Sequence, residues 1–365
     1  MKHIIAFFFL LSFSKFPKAY NPHTIQNKPA DVSSHVFIIT LDGFRWQEMF
    51  NGIDADIVKN GNYTQDAETM EAMYGGGSEE EKRKKLMPFF WNVIAAKGQL
   101  YGNRKYNNNV NVANLFSISY PGYNEIFTSK PSISIYSNSK ILNLNKNIFE
   151  YLNTKAKYKD KIAVFTSWSV FPFILNEERS GVEINSGFEN VQEENYNLKN
   201  VNAIQNSLVL KAEATRNDML TFVAAKEYLA AHRPSVFYLG LGETDEYAHS
   251  ENYDMYLQKA NDADKMIADL WHWVQCTDGY KNNTTFIITT DHGRGSKASQ
   301  WMSHGVFTKG SSQTWIALLG KNVNALGEMK FNNQLYQKQI AQTIAYFLGE
   351  EFGNQKAIEY EFVKK

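Results

Sequence analysis

The sequence predicts an α/β protein with a doubly wound, mostly parallel central sheet and helices on both faces of that sheet. Three nearly continuous apolar runs, at residues 36–41, 235–241 and 286–288, are typical of parallel strands buried on both faces. The segments between them carry the 3.6-residue apolar periodicity of amphipathic helices. Strands that alternate with helices in this way indicate a doubly wound fold.

The remaining elements follow in the same rhythm along the chain. A helix-like pattern at 89–96 stops at Gly98, and another begins at 148 and runs to 152. A strand is predicted at 162–165, and long amphipathic patterns cover 216–231 and 253–274. One catalytic domain at 33–350 accounts for all of them, because no internal repeat or linker calls for a second domain.

A polar stretch at about 51–86 breaks this rhythm. It contains Gly75-Gly76-Gly77, followed by a segment of mixed charge at 79–85. We expect an inserted loop or partial helix there, which is either a solvated surface insertion or a lid over a substrate.

The overall charge balance argues against a polyanionic partner. Lys plus Arg and Asp plus Glu each number 38 among 365 residues, so the formal net charge is zero. The composition therefore indicates no basic field that would collect nucleic acid or an anionic membrane. Hydrophobic residues make up 43%, as is ordinary for a globular enzyme.

The first twenty residues resemble a signal peptide. Lys2 and His3 precede an apolar stretch at 4–13, which has the length of a signal h-region and is too short to span a bilayer. Residues 15–20 show no clear small-x-small cleavage site, and a buried N-terminal helix is the alternative. We expect an exported protein, periplasmic or secreted, without a membrane span in its mature chain. The single Cys276 allows no internal disulfide.

Each of the three buried runs is followed by a carboxylate. Asp42 follows the first run, Asp245 the second and Asp291 the third. His292 comes directly after Asp291, and His249 lies four residues after Asp245, on the same face of a helical turn. Parallel strands deliver these groups to one edge of a sheet, where ligand sites lie. Carboxylate oxygen together with imidazole nitrogen suits zinc, so the pattern predicts a metal site.

Ser119 is the candidate nucleophile. It precedes a segment that can enter a helix, where free backbone N–H groups favour a phosphate or an oxyanion. A serine hydroxyl is a poor nucleophile at neutral pH, and metal coordination would activate it by lowering its pKa. The alternative is a structural N-cap, with Pro121 in the first turn.

The order of these sites resembles the alkaline phosphatase superfamily, and most of all its branch of type I phosphodiesterases and nucleotide pyrophosphatases. The resemblance runs from about residue 36 to about 348, and Ser119-Tyr120-Pro121 matches the hydroxyl-aromatic-Pro context of the branch. It implies hydrolysis of phosphate esters through a phosphoseryl intermediate. It also implies two zinc ions per chain, one held by Asp42, Ser119, Asp291 and His292, and the other by Asp245, His249 and His304.

The chain departs from the pattern of this branch in three places. The branch usually has an Asn about twenty residues after its nucleophile, and here Asn138, Asn143 and Asn145 are all candidates. The Lys-x-Arg pair that some phosphomonoesterases use has no match after 162–165, which favours a diester over a monoester. The Cys- or Ser-x-Pro-x-Arg signature of type I sulfatases is absent.

Three further alternatives remain open at the level of sequence. Arg294 is a candidate for binding a phosphoryl oxygen of the substrate, or it is a structural ion-pair partner. The same metal site would serve a phosphoryl mutase or transferase, which passes the phosphoryl group to an alcohol. A zinc-binding pseudoenzyme would keep the ligands without turnover. In every enzymatic case the expected partner is a small-molecule phosphate ester.

Overall fold

The computed structural model describes residues 32–192, 195–207 and 215–358. Its strands form two sheets. The larger sheet contains β1 (His35–Leu41), β2 (Gln99–Tyr101), β4 (Ile162–Thr166), β5 (Glu183–Ser186), β6 (Val236–Leu241), β7 (Thr284–Thr289), β9 (Ile316–Gly320) and β10 (Gly327–Glu328). The smaller sheet contains β3 (Asn108–Asn111), β8 (Gln313–Thr314) and β11 (Asn333–Tyr336).

The larger sheet has the strand order β10-β2-β9-β7-β1-β6-β4-β5. Strands β5, β4, β6, β1 and β7 pair in parallel, and only β9 runs against its neighbours β7 and β2. The mostly parallel sheet predicted from the sequence is therefore confirmed. Thr40 of β1 lies opposite both Gly240 of β6 and Thr289 of β7, so the carboxyl ends of these three strands are level.

Helices cover both faces of the larger sheet. They are α1 (Trp46–Asn51), α2 (Ala55–Val58), α3 (Ala67–Tyr74), α4 (Glu79–Leu86), α5 (Ala95–Lys97), α6 (Ser119–Thr128), α7 (Ile148–Asn153), α8 (Phe171–Ile174), α9 (Glu177–Ser180), α10 (Tyr196–Ser207), α11 (Asp218–His232), α12 (Glu243–His249), α13 (Tyr253–Cys276) and α14 (Ile340–Phe347).

Two hydrophobic clusters lie on opposite sides of the sheet. Phe37 and Ile39 of β1 belong to one cluster, together with side chains of α11 and α13. Val36 and Ile38 belong to the other, together with side chains of α6 and α14. Because successive residues of a strand point to opposite faces, this alternation shows that β1 is buried on both sides, as the apolar run predicted.

The helices predicted from periodicity differ from the observed ones mainly at their ends. The pattern at 89–96 is a π-helix, Phe90–Ile94, that continues into α5. The polar stretch at 51–86 contains the three short helices α2, α3 and α4, where we expected a loop or a partial helix. Helix capping explains in part why this polar stretch is helical, because Ser78 and Glu81 form a capping box at the start of α4.

The predicted signal peptide at 1–20 lies outside the described residues. Within the described part of the chain, no helix combines the length and the apolarity needed to cross a bilayer.

Candidate active site and metal centres

The level ends of β1, β6 and β7 bring the predicted ligands to one edge of the sheet. Asp42 directly follows β1, and Asp291 lies two residues beyond β7. Asp245 and His249 are on α12, which begins two residues after β6. The fold thus places on neighbouring strand ends groups that lie far apart in the chain, such as Asp42 and Asp291.

One candidate metal centre consists of Asp42, Asp291 and His292. Each offers a ligand atom within 4.8 Å of the others, and all three side chains are buried. His292 Nε2 lies 3.5 Å from Asp42 Oδ1 and 3.5 Å from Asp291 Oδ2. The other ring nitrogen, Nδ1, lies 2.9 Å from the Gly293 carbonyl oxygen. An Nδ1–H that donates to this oxygen leaves the Nε2 lone pair directed at the two carboxylates, as a metal ligand requires.

The electrostatics of this centre also fit a cation. Burial raises the pKa of Asp42 to about 8, and the neighbouring Asp291 charge adds to that shift. Burial likewise raises the pKa of Asp291 to about 7. Among the described residues, Asp291 Oδ2 is a buried oxygen without a hydrogen-bond partner. Two buried carboxylates with an unpaired oxygen are costly, and a divalent cation would compensate for that cost.

The second candidate centre consists of Asp245, His249 and His304. His249 Nε2 lies 3.2 Å from Asp245 Oδ2 and 2.9 Å from His304 Nε2. Burial, followed by the charges of His292 and Arg294, holds the pKa of His304 well below its usual range. His304 is therefore neutral, which is the form that binds a metal. These two groupings are the same two sets that the family resemblance implied.

Ser119 lies beside the first centre. Its Oγ is 3.3 Å from His292 Nε2 and 3.5 Å from Asp42 Oδ1. Ser119 is the first residue of α6, whose N-cap is Ile118 and has no side-chain capping bond. The hydroxyl is thus directed at the candidate ligands and does not occupy the N-cap position that we considered as an alternative.

Two neighbours on α6 hold the serine in this position. Tyr123 donates its hydroxyl to Asp42 Oδ2 at 3.0 Å. Gly122 packs so closely on Asp291 that a Cβ there would lie 2.5 Å from the Asp291 carbonyl oxygen. Both were missed in the sequence, although their spacing of three and four residues from Ser119 places them on the same helical face.

Hydrogen bonds at residues 113–114 and a contact of Ser117 with His304 fix the loop before α6. The buried Glu125 carboxylate accepts hydrogen bonds from the backbone N–H groups of Ala113, Asn114 and Lys338. Ser117 has a φ of 49°, in the left-handed region, and its carbonyl oxygen lies 3.3 Å from His304 Nδ1. The turn that presents Ser119 therefore also orients a ligand of the second centre.

The structure separates the three candidate asparagines. Asn138 Oδ1 accepts the backbone N–H of Tyr120 at 2.9 Å, next to Ser119. Asn143 is buried and donates to Asn124 Oδ1 and the Ile174 carbonyl, and Asn145 also donates to Asn124 Oδ1. Asn138 is thus bonded at the start of α6, where a phosphoryl group would approach Ser119.

Arg294 is buried and already engaged. Its Nε donates to the Gly43 carbonyl at 3.1 Å, and its Nη1 donates to the Met302 carbonyl. Its Nη2 forms an ion pair with Asp245 Oδ1. A Cβ on Gly43, whose φ is +59°, would lie 2.7 Å from that carboxylate oxygen, so only glycine fits there. These contacts favour the structural alternative for Arg294.

The sequence of the chain matches a known family over most of its length. Residues 34–351 match the family described as the Metalloenzyme superfamily. No curated protein matches the chain.

Several solved structures share the fold of this chain at low sequence identity. The wild-type alkaline phosphatase PafA superposes with a TM-score of 0.58 at 12% identity, covering 91% of this chain and 99% of that one. The lipoteichoic acid synthase LtaP from Listeria monocytogenes gives 0.56 at 13%, covering 90% and 76%. The phosphonate monoester hydrolase of Agrobacterium radiobacter gives 0.51 at 11%, covering 86% and 73%.

Proposed function

This chain belongs to the Metalloenzyme superfamily, and on that premise we propose that it is a phosphoesterase that holds two zinc ions and attacks its substrate with Ser119. The observation that carries the proposal is the position of the Ser119 hydroxyl. It lies within 3.5 Å of a carboxylate and an imidazole that belong to a buried cluster of two aspartates and a histidine. The proposed zinc ligands are Asp42, Ser119, Asp291 and His292 in one centre, and Asp245, His249 and His304 in the other.

The reaction that we propose has two displacement steps. Zinc bound in the two centres would supply positive charge that lowers the pKa of the Ser119 hydroxyl and stabilises the phosphoryl oxygens. Ser119 Oγ forms a bond to phosphorus while the ester P–O bond breaks, and the alcohol leaves. Water then cleaves the phosphoseryl bond and releases phosphate or a phosphate monoester, which regenerates Ser119.

The other side chains orient the reactants. Tyr123 holds Asp42 through its hydroxyl, so the carboxylate faces Ser119. Asn138 accepts from the Tyr120 N–H through Oδ1, which leaves its amide N–H₂ as the donor for a phosphoryl oxygen. We assign Arg294 the role of orienting Asp245, because its contacts with Gly43, Met302 and Asp245 leave the guanidinium engaged within the protein.

The side chains at the end of β4 favour a phosphodiester over a phosphomonoester as substrate. The residues there are Ser167, Trp168 and Ser169, and no Lys or Arg occurs between 166 and 173. Ser167 Oγ is bonded to Asp218, and the Trp168 ring lies 6.5 Å from the Tyr123 ring. The buried Arg216 lies at this strand end, but its guanidinium donates to the Thr166 carbonyl and to Asn185 Oδ1. With no Lys or Arg in the segment itself, a dianionic monoester loses part of its stabilisation, and a monoanionic diester is less affected.

A comparison of three chromogenic substrates tests the proposal. Zinc-loaded protein is given an aryl phosphodiester, an aryl phosphomonoester and an aryl sulfate, and kcat/KM is measured for each. We expect both phosphate esters to exceed the sulfate and the diester to equal or exceed the monoester. A monoester preference above about a hundredfold, which corresponds to about 2.7 kcal/mol, would reverse the assignment of substrate class. Dominant sulfate turnover would contradict the proposed function itself.

We also propose that the protein is exported, because residues 1–20 have the charge and apolar pattern of a signal peptide.

A further inference from the structure

Exposed apolar side chains are concentrated around the mouth of the candidate site. Ile133, Tyr136, Ile141 and Leu144, on the loop that follows α6, are between 65% and 88% exposed. Val306 and Phe307, just after His304, are 58% and 98% exposed. Scattered exposed apolar residues are normal, but a concentration beside a catalytic centre marks a surface that another apolar body covers. We call residues 115–117, 130–146 and 306–307 the apolar rim.

The segments of the rim adjoin one another and Ser119. The rings of Phe116 and Tyr136 have centroids 6.4 Å apart. A Cβ built on Gly305 would lie 3.9 Å from the Ile118 side chain, so the loop with Val306 and Phe307 borders the turn before Ser119. Segments of the rim therefore lie beside the turn that precedes Ser119.

The loop in the rim buries one polar side chain and exposes most of its apolar ones. Asn143 is 2% exposed and donates to Asn124 and to the Ile174 carbonyl, while its neighbour Leu144 is 88% exposed. Asn138 and the Tyr120 hydroxyl, which donates to the Ile141 carbonyl at 2.5 Å, bind the loop to the start of α6. The loop therefore presents aliphatic groups to the solvent beside the exposed Ser134, Asn138 and Ser139.

All charged side chains of this loop are positive. Lys130, Lys140 and Lys146 are exposed, and the sequence contains no Asp or Glu between 130 and 146. Within the described part of the chain, none of the three lysines forms an ion pair. The net charge of zero, from which we expected no attraction to an anionic membrane, therefore conceals a local excess of three positive charges beside the site.

The loop also lines an open cavity. Its volume is about 470 Å³, within the range of small-molecule sites, and its walls include Tyr120, Ile135 and Leu142. Tyr120 directly follows Ser119. One wall of this cavity is thus the residue that follows the candidate nucleophile in the chain.

We propose that the apolar rim docks on a lipid bilayer whose headgroups carry anionic phosphate. The aliphatic side chains enter the boundary between headgroups and acyl chains, and the three lysines meet the headgroup phosphates. Docking in this orientation places Ser119 at the headgroup level, where its substrates are phosphate esters of amphiphiles. This last step rests on the proposed phosphoesterase function, whereas the docking itself does not.

Vesicle binding of the full chain tests the inference. Wild-type protein is sedimented with vesicles of phosphatidylglycerol and phosphatidylcholine, and separately with vesicles of phosphatidylcholine alone. We expect Ile133→Ser with Leu144→Ser to lower partitioning about tenfold on the mixed vesicles, through lost apolar burial. Replacing Lys130, Lys140 and Lys146 by Gln should lower partitioning onto the mixed vesicles by about fivefold per lysine. The same replacements should lower partitioning onto phosphatidylcholine vesicles by far less.

Matched controls separate the rim from the rest of the chain. Ile204→Ser with Leu326→Ser removes two apolar side chains of about 50% exposure outside the rim, and should leave partitioning unchanged. Lys59, Lys84 and Lys159, exposed lysines outside the rim, are replaced by Gln for the charge comparison. All variants retain residues 4–13, so any binding by that apolar stretch is common to every sample.

Three results would overturn the inference. They are failure of the wild type to bind the mixed vesicles, equal binding by the rim variants, and a wild-type dimer that the rim substitutions dissociate without any vesicle binding. The last result would assign the rim to a second copy of the chain. Turnover of a short-chain aryl phosphodiester without vesicles is measured in parallel. If the rim variants retain this turnover, their weaker vesicle binding reflects lost docking and not a damaged active site. If the wild type shows no turnover, the proposed function is contradicted, but the docking inference is not.

Discussion

Ser119 is the side chain on which the proposed chemistry depends, and its contacts make a two-part prediction. Ser119→Ala removes the hydroxyl that lies 3.3 Å from His292 Nε2, but leaves Asp42, Asp291 and His292 in place. Three protein ligands suffice for a catalytic zinc ion, so the variant should fold and bind zinc. Its turnover should fall by several orders of magnitude, because water alone would remain as nucleophile. Steady-state kinetics and metal analysis of the same preparation check both parts.

Ser117 provides the matched control for this substitution. It is equally buried and two residues away, yet its contact with the site is made through its backbone carbonyl, which lies 3.3 Å from His304 Nδ1. Ser117→Ala retains that carbonyl and should retain activity. Ser119→Thr, which keeps a hydroxyl, should retain measurable turnover. If Ser117→Ala abolishes turnover and Ser119→Ala does not, the assignment of the nucleophile is wrong.

Arg294 makes a second prediction at the scale of the residue. Its forked guanidinium pairs with Asp245 Oδ1, which leaves Oδ2 facing His249 at 3.2 Å. Arg294→Lys keeps the charge but loses the fork, so Asp245 should be less well oriented. Competition titration should show zinc affinity at this centre falling about 10- to 100-fold. Arg83→Lys alters a buried pair with Glu328 away from the site and should not change zinc affinity. Unchanged affinity in Arg294→Lys would contradict the orienting role.

The sequence was informative for residues whose position follows from a strand end. Asp42, Asp245 and Asp291 could be placed together because parallel strands share an edge, and the structure brings them there. The role of Arg294 could not be read in the same way. Its burial depends on Gly43 and on the Met302 carbonyl, which approach it only after β1 and the 295–304 loop have folded. The choice of Asn138 over Asn143 likewise depends on the folded loop, which leaves Asn138 exposed beside Tyr120 and buries Asn143.

At the scale of the element, we predict that Gly122→Ala in α6 destabilises the protein, although Gly→Ala inside a helix is usually stabilising. Gly→Ala inside a helix usually stabilises by about 0.5–1 kcal/mol. At Gly122 the added Cβ would lie 2.5 Å from the Asp291 carbonyl oxygen, so α6 or the Asp291 backbone must move. Overpacking of this kind costs about 1–3 kcal/mol. Displacement of Ser119 by about 1 Å can lower turnover by up to about 100-fold. Thermal denaturation and kcat measure the two effects.

Gly61 supplies the comparison for Gly122. A Cβ there would have no atom within 4 Å, and its φ lies outside the left-handed region. Gly61→Ala should therefore leave the Tm and kcat of the protein unchanged or slightly raise the Tm. A Gly122→Ala variant that behaves in the same way would show that the close packing of α6 on Asp291 does not position the nucleophile.

The elements differ in how far periodicity could predict them. Strands β1, β6 and β7 are long apolar runs buried on both faces, and they were found in the sequence. Strands β2, β10 and β11 have two to four residues, too few for a recognisable period. The antiparallel direction of β9 depends on its pairing with β7 and β2, and no local pattern carries that information.

At the scale of the whole molecule, the two hydrophobic clusters form a rigid frame and the chemistry lies at its edge. Both clusters are made from β1, β6 and β7 with the helices on either side, which fixes the strand ends relative to one another. Solved structures that are 11–13% identical to the chain have the same fold. The net charge of zero did not reveal the positive charge of the rim. It is a sum over the whole chain, whereas Lys130, Lys140 and Lys146 are grouped in one loop.

The zinc content of the purified chain tests the central claim most directly. We expect close to two zinc ions per chain, with turnover of a phosphate ester lost on chelation and regained when zinc is returned. His249→Ala, His304→Ala and the double substitution should each lose the same ion, so the effects of the two singles on zinc affinity should not add. Additive losses would place the two histidines in different centres. A metal-free preparation that retains full turnover would contradict the account as a whole.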